Sequence, residues 1–467
     1  MDIVLFKNKK INHEEFTRLL DFYVHYTLIH HKFFIKLKHE WEMLSPDRKI
    51  FGLCSEIDSI TGVWKDISVQ KAWSWGDGRA LGLWSNHLIT GIIHDEEIEI
   101  NPLGQKRVVN LRAEYKSYCD VIFRQLEERY KLNGGHFPFI ADISTNKASG
   151  DSRNVTLKEG ERRFSDLFCS AGFMQYGLLT RNHEITDKGL KILLSVSDAI
   201  KNAKFVVEPH NPNNPPKFNF QGAYMILLGV CVDVLKSIVS IGEKEFSSLR
   251  KNLFTAAVEM TETILSKFYS PESGILWEFN TLDDKPFKDG ASWIADPGHG
   301  AECAGFIAEF ASLLKTENDM KQLSEKYIEA ASRISLYMSE NGYSRKGLMY
   351  KRINLLKETE RGVFDNTVNG VKLKTAPWWN VREHSAASLR LYHLRGDERH
   401  LVSYSKAQNA TYMFYPNKLI DGLMTQTLNA ETAETLPLNP ATANFDPMHD
   451  QRARDREIEV LKSLIER

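Results

Sequence analysis

The sequence is poor in the features that mark several classes of protein. Its 467 residues include only five cysteines, and no two of them form a Cys-x-x-Cys pair. This excludes the usual spacing of a zinc site or a disulfide framework, and we expect reduced thiols in a cytoplasmic protein. The net charge of −1 gives no electrostatic footprint for nucleic acid or for an anionic membrane.

Long apolar segments are also scarce. The N-terminal apolar run is too short for a signal peptide, and we find no stretch approaching the roughly 20 apolar residues of a membrane-spanning helix. The composition is that of an ordinary globular protein, with 42% hydrophobic and 26% charged residues. The sequence therefore predicts a cytoplasmic protein without nucleic-acid or membrane partners.

Helical spacing of apolar residues recurs along the chain, whereas strand patterns are few. About a dozen segments have the length and spacing of helices, with aromatic-rich loops between them, and no shift in composition marks a domain boundary. Repeated antiparallel helix pairs can close into a double ring. The histidines of the first predicted helix, residues 12–43, lack a carboxylate or cysteine at ligand spacing, so structural or surface roles are expected for His25, His30, His31 and His39.

The segment Asp296-Pro-Gly-His-Gly-Ala-Glu302 has the pattern of a helix start. Proline suits the first turn, and an alanine-rich apolar run follows. His299 then lies at the helix N-terminus, with Glu302 one turn further on the same face. The positive helix end disfavours imidazolium, so we expect a neutral His299, as a general base requires. A histidine that only hydrogen-bonds the loop is the alternative.

The same pattern recurs near the C-terminus in Asp446-Pro-Met-His449, again before a predicted helix. Arg452 stands three residues after this histidine, where Glu302 stands in the first motif. Two histidines at two helix starts could hold one substrate between them. That geometry suits removal and return of a proton at one carbon.

Trp75 and Arg79 are four residues apart in a predicted helix and share one face. A ring face with a guanidinium beside it is a common way to hold a sugar. A core tryptophan with an arginine reaching the surface is the alternative, and this pair alone favours it.

Taken together, these segments resemble the N-acylglucosamine 2-epimerase superfamily, which includes cellobiose 2-epimerases and mannose or sulfoquinovose isomerases. The resemblance covers about residues 60–460. It rests on the order and spacing of five pieces: the Trp75–Arg79 segment, Phe164–Phe168, Pro297-Gly-His-x-x-Glu302, Trp378-Trp-x-x-x-Glu383 and His449-x-x-Arg452.

The resemblance implies an all-α, single-domain (α/α)6 barrel over residues 1–467, with residues 1–59 as a helical extension packed on it. It implies a sugar substrate, no metal and no redox cofactor, and a homodimer by analogy. His299 and His449 would be the acid/base catalysts beside a sugar carbonyl, and Arg79 would stabilise the enediolate. The implied substrate-binding residues are Trp75, Asp77, Glu302, Trp379, Glu383 and Arg452.

The sequence also departs from the family pattern. Asp77 and Val381 stand where glutamine is common, and Ile226 and Gly229 replace a histidine and a glutamate. Asn444-Phe445 replaces a Trp-Lys pair. These positions include substrate contacts, so the reaction type is better indicated than the sugar.

Two other functions remain open. A glycoside hydrolase or lyase on the same barrel would need a carboxylate pair drawn from Asp77, Glu302 and Glu383. A catalytically inactive sugar-binding or regulatory homologue is slightly favoured by the changes at Ile226 and Gly229. The retained Arg79, His299 and His449 favour an epimerase or isomerase.

Overall fold

The structure is a computed structural model that describes residues 13–44, 71–208, 218–242, 244–286, 288–289, 292–317, 319–417, 423–436 and 448–466. Within these ranges lie twelve α-helices: α1 (His13–Leu44), α2 (Ser74–Thr90), α3 (Leu111–Leu132), α4 (Phe164–Thr180), α5 (His183–Lys201), α6 (Gln221–Ile241), α7 (Ser247–Lys267), α8 (Pro297–Leu314), α9 (Lys321–Asn341), α10 (Trp378–Arg395), α11 (Glu398–Phe414) and α12 (Ala453–Ile465). A π-helical turn, Met448–Arg452, precedes α12.

The helices form two concentric rings. In the inner ring α2, α4, α6, α8, α10 and α12 contact one another in that order, and the π-turn before α12 contacts α2 and so closes the ring. Each of the first five inner helices packs against the helix that follows it in the chain, and α12 packs against α1. This architecture is the predicted (α/α)6 barrel.

Strands of two to four residues connect the helices. In the same described ranges they are β1 (Ala72–Trp73), β2 (Glu97–Ile100), β3 (Arg107–Asn110), β4 (Ile140–Ala141), β5 (Arg162–Arg163), β6 (Phe205–Val206), β7 (Asn219–Phe220), β8 (Tyr269–Ser270), β9 (Ile275–Leu276), β10 (Phe279–Asn280), β11 (Lys288–Asp289), β12 (Ser292–Ala295), β13 (Ile353–Asn354), β14 (Asn366–Val368), β15 (Val371–Leu373), β16 (Thr375–Pro377) and β17 (Thr427–Asn429). Strand β13 begins at Ile353, where it pairs with β12.

The short strands fix the end of the barrel at which the inner helices begin. β1, β5, β7, β12 and β16 each lead into an inner helix. Their partners in the antiparallel pairs β1–β4, β7–β10, β12–β13 and β16–β17 and the parallel pair β5–β6 come from the loops of that end. Side chains in the first turns of the inner helices therefore gather at one end of the barrel.

Helix α6 lies within the largest hydrophobic cluster of the barrel. Among the described helices, it alone is long and apolar enough, by length and composition, to cross a membrane. The expectation that no stretch approaches this length and apolar content is therefore wrong for α6. Most of that apolar window, 72%, is buried, and Leu227, Leu228 and Val234 pack into the cluster. A helix that is hydrophobic on all sides is typical of a buried core position, and this accounts for the composition of α6.

Helix α1 is joined to the barrel by both apolar and polar contacts. Phe16 and Leu19 belong to the same cluster as Trp378 and Val460. Its histidines have structural partners, as expected: His30 Nε2 lies 3.2 Å from Asp450, His31 Nδ1 2.9 Å from the Tyr115 hydroxyl, and His39 Nε2 3.2 Å from Glu114. Residues 1–12 and 45–59 of the expected extension lie outside the described residues, so the domain boundaries stay a prediction.

Candidate active site

A row of aromatic rings connects the starts of the inner helices. Ring centroids lie 5.6 Å apart between Trp75 and Phe164, 6.2 Å between Phe164 and Phe220, and 5.9 Å between Phe220 and His299. These residues belong to the beginnings of α2, α4 and α8 and to β7. The row therefore connects the Trp75–Arg79 segment to His299 in space.

Trp379, the second residue of α10, contacts both histidines of the two sequence motifs. Its ring centroid lies 5.3 Å from that of His299 and 5.2 Å from that of His449, which it stacks on. Gly298 permits this approach, because a Cβ there would lie 2.6 Å from Trp379 and 2.4 Å from Asn380. Trp379 thus contacts both imidazoles, and a site shared by His299 and His449 stays a prediction.

His299 is held between two carboxylates. Asp296 caps α8 and accepts hydrogen bonds from the amides of Gly298 and His299, at 3.0 and 3.4 Å. The His299 Nδ1 lies 2.6 Å from Glu278 Oε1 and 3.6 Å from Asp296 Oδ2. Lys351 completes this group with an ion pair to Asp296.

These carboxylates shift the pKa of His299. Burial alone would lower the pKa of His299, but Asp296 and Glu278 outweigh burial and raise the pKa above its ordinary value. The expectation of a neutral imidazole, based on the helix N-terminus, is therefore wrong in direction. The helix start was correctly predicted, but it could not reveal the two carboxylates.

Glu278 and Lys351 are site residues that sequence reasoning missed. Glu278 lies between Trp277 and Phe279, in a segment without helical periodicity. Lys351 lies in another such segment. The only local signal was an acidic residue flanked by aromatic residues, which is too common to indicate a site.

His449 has a matching environment. It lies in the π-turn, and its Nδ1 is 2.8 Å from Glu383 Oε1. Arg452 donates to the same oxygen at 2.7 Å and to Glu302 Oε1 at 2.6 Å. Burial would raise the pKa of Glu383, but the charge of Arg452 and the bond to His449 hold that pKa well below its usual range. The residues Asp446-Pro447 and Asn444-Phe445 lie outside the described part of the chain.

Several residues predicted to bind a substrate are engaged with the protein. Arg452 and Glu302 are almost fully buried in the ion pair above. Asp77, with 1% of its surface exposed, pairs with Arg129 at 2.9 Å. Direct contact of these residues with a substrate stays a prediction. The hydrogen bond from Arg452 also holds the Glu383 carboxylate in place.

Arg79 packs on two of the aromatic rings. Its guanidinium carbon lies 4.7 Å from the ring centre of Trp75 and 4.0 Å from that of Phe168. Only 7% of Arg79 is exposed. The predicted pairing of Trp75 with Arg79 on one helix face is confirmed.

Two groups of carboxylates and imidazoles have a spacing that a metal ion would accept. Within each group the candidate atoms lie within 4.8 Å of one another; the groups are Glu278, Asp296, His299 and Glu302, Glu383, His449. A cation already lies against the carboxylates of each group, Lys351 in the first and Arg452 in the second. We therefore assign these carboxylates to the imidazoles and to the two cations, and the absence of a metal stays a prediction.

Comparison with known families identifies one that matches this chain. The family model described as N-acylglucosamine 2-epimerase matches residues 180–445, more than half of the chain. The chain belongs to the N-acylglucosamine 2-epimerase family. The matched segment includes His299, Glu302, Trp379 and Glu383, and membership of this family supports an enzyme that epimerises or isomerises a sugar.

Solved structures show the same fold as this member of the family. Cellobiose 2-epimerase from Bacillus thermoamylovorans is 12% identical, with a TM-score of 0.65, over 96% of this chain and 100% of that chain. A sugar epimerase from a ruminal bacterium is 13% identical, with a TM-score of 0.63, over 91% and 98%. A D-mannose isomerase is 14% identical, with a TM-score of 0.61, over 96% and 97%. No curated protein matches the chain.

Proposed function

We propose that this protein is a cofactor-independent sugar 2-epimerase or aldose–ketose isomerase in which His299 and His449 move the proton beside the carbonyl. The supporting observation is that both imidazoles contact Trp379 while a carboxylate is bonded to the Nδ1 of each. A carboxylate at Nδ1 favours the tautomer with a proton there and places the basic lone pair on Nε2. The Nε2 of each imidazole is then the nitrogen that would carry the proton.

The reaction follows from this arrangement. One imidazole takes the proton from C2, the C–H electrons form the C1–C2 double bond, and the carbonyl electrons move to oxygen to give an enediolate. Arg79 supplies the positive charge that stabilises the new oxyanion. Return of a proton to C2 from the other histidine, on the opposite face, gives the 2-epimer. Return to C1 instead, with transfer of the O2 proton to O1, gives the ketose.

The neighbouring side chains supply binding and orientation. Trp75 and Trp379 supply aromatic rings for contact with the C–H groups of a sugar. Glu383 orients His449, and Arg452 fixes Glu383 and Glu302 from within the protein. No step needs an electron acceptor or a metal. The cysteines in the described part of the chain are buried and form no disulfide bond, which supports a cytoplasmic enzyme; they are Cys119, Cys169, Cys231 and Cys303.

The ion pairs count against the glycoside hydrolase or lyase. Such an enzyme needs a carboxylic acid with a raised pKa to protonate a leaving group. Glu383 has a lowered pKa, because its Arg452 and His449 partners outweigh burial. Glu302 is bonded to Arg452 and Asp77 to Arg129. None of the three candidates is placed as such an acid.

Proton NMR in D2O with a panel of free sugars tests the proposal. The panel contains glucose, mannose, fructose, N-acetylmannosamine, cellobiose and modified hexoses. Deuterium at C2 with a new epimer signal would support epimerisation, and a ketose signal would support isomerisation. If protein shown to be folded exchanges no proton with any of these sugars, the result would count against the proposal.

A further inference from the structure

The two histidines have environments of the same composition. Each has two carboxylates nearby, and a cation pairs with both of them beside His449 but with Asp296 alone beside His299. The cations differ: Arg452 is 4% exposed and lies within the barrel, whereas Lys351 is 29% exposed. The Lys351 ammonium is therefore placed where solvent reaches the site.

The backbone anchors Lys351 between two inner helices. Its amide donates to the carbonyl of Thr375, at 2.8 Å, in the strand that leads into α10. Two residues later, Ile353 pairs with Ala295, in the strand that leads into α8. Lys351 is thus held beside the starts of both helices that carry His299 and Trp379.

The Lys351 ammonium bridges these helices. It forms an ion pair with Asp296, the cap of α8, and lies 4.6 Å from the ring centre of Trp379. Asp296 Oδ2, the oxygen that Lys351 contacts, is the one that lies 3.6 Å from the His299 Nδ1. Lys351 therefore reaches His299 through one carboxylate oxygen.

The charged groups around His299 are few. Asp296 comes from the residue before α8, Glu278 from the segment before β10, and Lys351 from the segment before β13. Phe220 and Trp379 contribute uncharged rings from β7 and α10, and the imidazole of His449 contacts the same Trp379. Two negative charges thus act on His299, and Lys351 is the positive charge that opposes them.

We propose that Lys351 is a positioning residue for His299: it holds the Asp296 cap in place and offsets one of the two carboxylates, so that His299 can release a proton as well as accept one. This assignment rests on the proposed function for its catalytic meaning. Without the ammonium, both carboxylates would act on the imidazole and retain its proton. Arginine at this position would keep the charge.

The direct test is an NMR titration of the histidines in the full-length protein labelled at the histidine Cε1 carbon, with His299 assigned from the H299N spectrum. We expect the His299 pKa to rise by about one pH unit in K351M, the low end of the range for a nearby charge. It should stay at the original value in K351R and in K346M, which removes an exposed lysine of the same segment. K351Q serves if K351M does not fold.

An unchanged His299 pKa in K351M or K351Q, or an equal rise in K351R, would overturn the assignment. The activity measurement is separate. If the original protein exchanges C2 protons, the acidic limb of its pH–rate profile should shift to higher pH in K351M, together with the His299 pKa. In K351R the limb should return to its original pH. If the His299 pKa rises in K351M but the acidic limb of the pH–rate profile stays at the same pH, Lys351 does not act on catalysis. Failure of every sugar to exchange would reject the proposed function, and the titration would still decide the electrostatic part.

Discussion

Glu278 lies 2.6 Å from the Nδ1 of His299, although 21 residues separate the two in the sequence. Its backbone carbonyl also accepts from the amide of Gln221, at 3.1 Å, so Glu278 is fixed to the start of α6. Glu278 is 7% exposed. A buried carboxylate anchored to one helix thus raises the pKa of an imidazole on another.

The first prediction concerns the pKa of His299. In E278Q one of the two carboxylates beside the imidazole is lost, so the pKa should fall by about one pH unit. Because the base form then persists to lower pH, the acidic limb of the pH–rate profile should shift to lower pH. NMR titration of His299 measures the first effect. A pKa that stays the same in E278Q would contradict the contact.

The same pair predicts the pH dependence of stability. The folded-state pKa of His299 lies above that of the unfolded chain, about 6.5. The stabilisation is therefore fully present below the unfolded value and is lost as pH rises through the folded value. The loss of unfolding free energy in E278Q should be larger at pH 5.5 than at pH 9. Equal losses in urea denaturation at both pH values would argue against this linkage.

The second prediction concerns proton transfer. H299A and H449A should each lower C2 exchange by about 10²- to 10⁴-fold, the usual contribution of a general acid or base. Folding should be retained, as circular dichroism would show. His25 is exposed on α1, so H25A is the matched control and should exchange at the original rate. Full exchange in both single variants would rule out the assignment.

The third prediction concerns the approach of α8 to α10. A methyl group in G298A would lie 2.4 Å from Asn380 and 2.6 Å from Trp379, so these side chains must move. We expect a loss of about 1–3 kcal/mol in unfolding free energy and a loss of activity larger than stability alone explains. In the same helix, a Cβ at Gly305 meets Ala387 at 3.4 Å, an ordinary contact. G305A should therefore be tolerated, and equal effects of the two variants would contradict the argument.

The fourth prediction concerns Arg452. R452M leaves the buried carboxylates of Glu302 and Glu383 without their cation, so the unfolding free energy should fall by about 3–5 kcal/mol. Arg345 forms an ion pair with Glu360 in which both side chains are largely exposed, so R345M should change stability by about 0.5 kcal/mol or less. Urea denaturation compares them. A loss below about 1 kcal/mol in R452M would show that the two glutamates do not depend on Arg452.

Helices were predictable because their signals are local. The Asp296-Pro297 start of α8 appears in the structure at the same residues, with Asp296 as the cap. The helix start predicted from the C-terminal motif was less accurate, because His449 lies in a π-turn and α12 begins only at Ala453. A π-turn is rare and has no sequence signal comparable to a helix cap.

The partners of the π-turn illustrate this point. Asp450 bonds to Arg382 of α10 and lies against His30 of α1, while Gln451 accepts from Trp84 of α2 at 3.3 Å. Each partner comes from a different part of the chain. The geometry of this turn could not be predicted until the ring of helices was closed.

The sequence by itself determined the helices, the cap of α8 and the placement of His299 and Arg79 on helix faces, because capping and helical periodicity depend on residues a few positions apart. The tertiary structure decided which carboxylates accompany each histidine, the direction of the His299 pKa and the pairing of Glu302 with Arg452. These pairs join distant positions, 150 residues apart for Glu302 and Arg452. Their charges interact strongly only because closure of the barrel brings them together away from water.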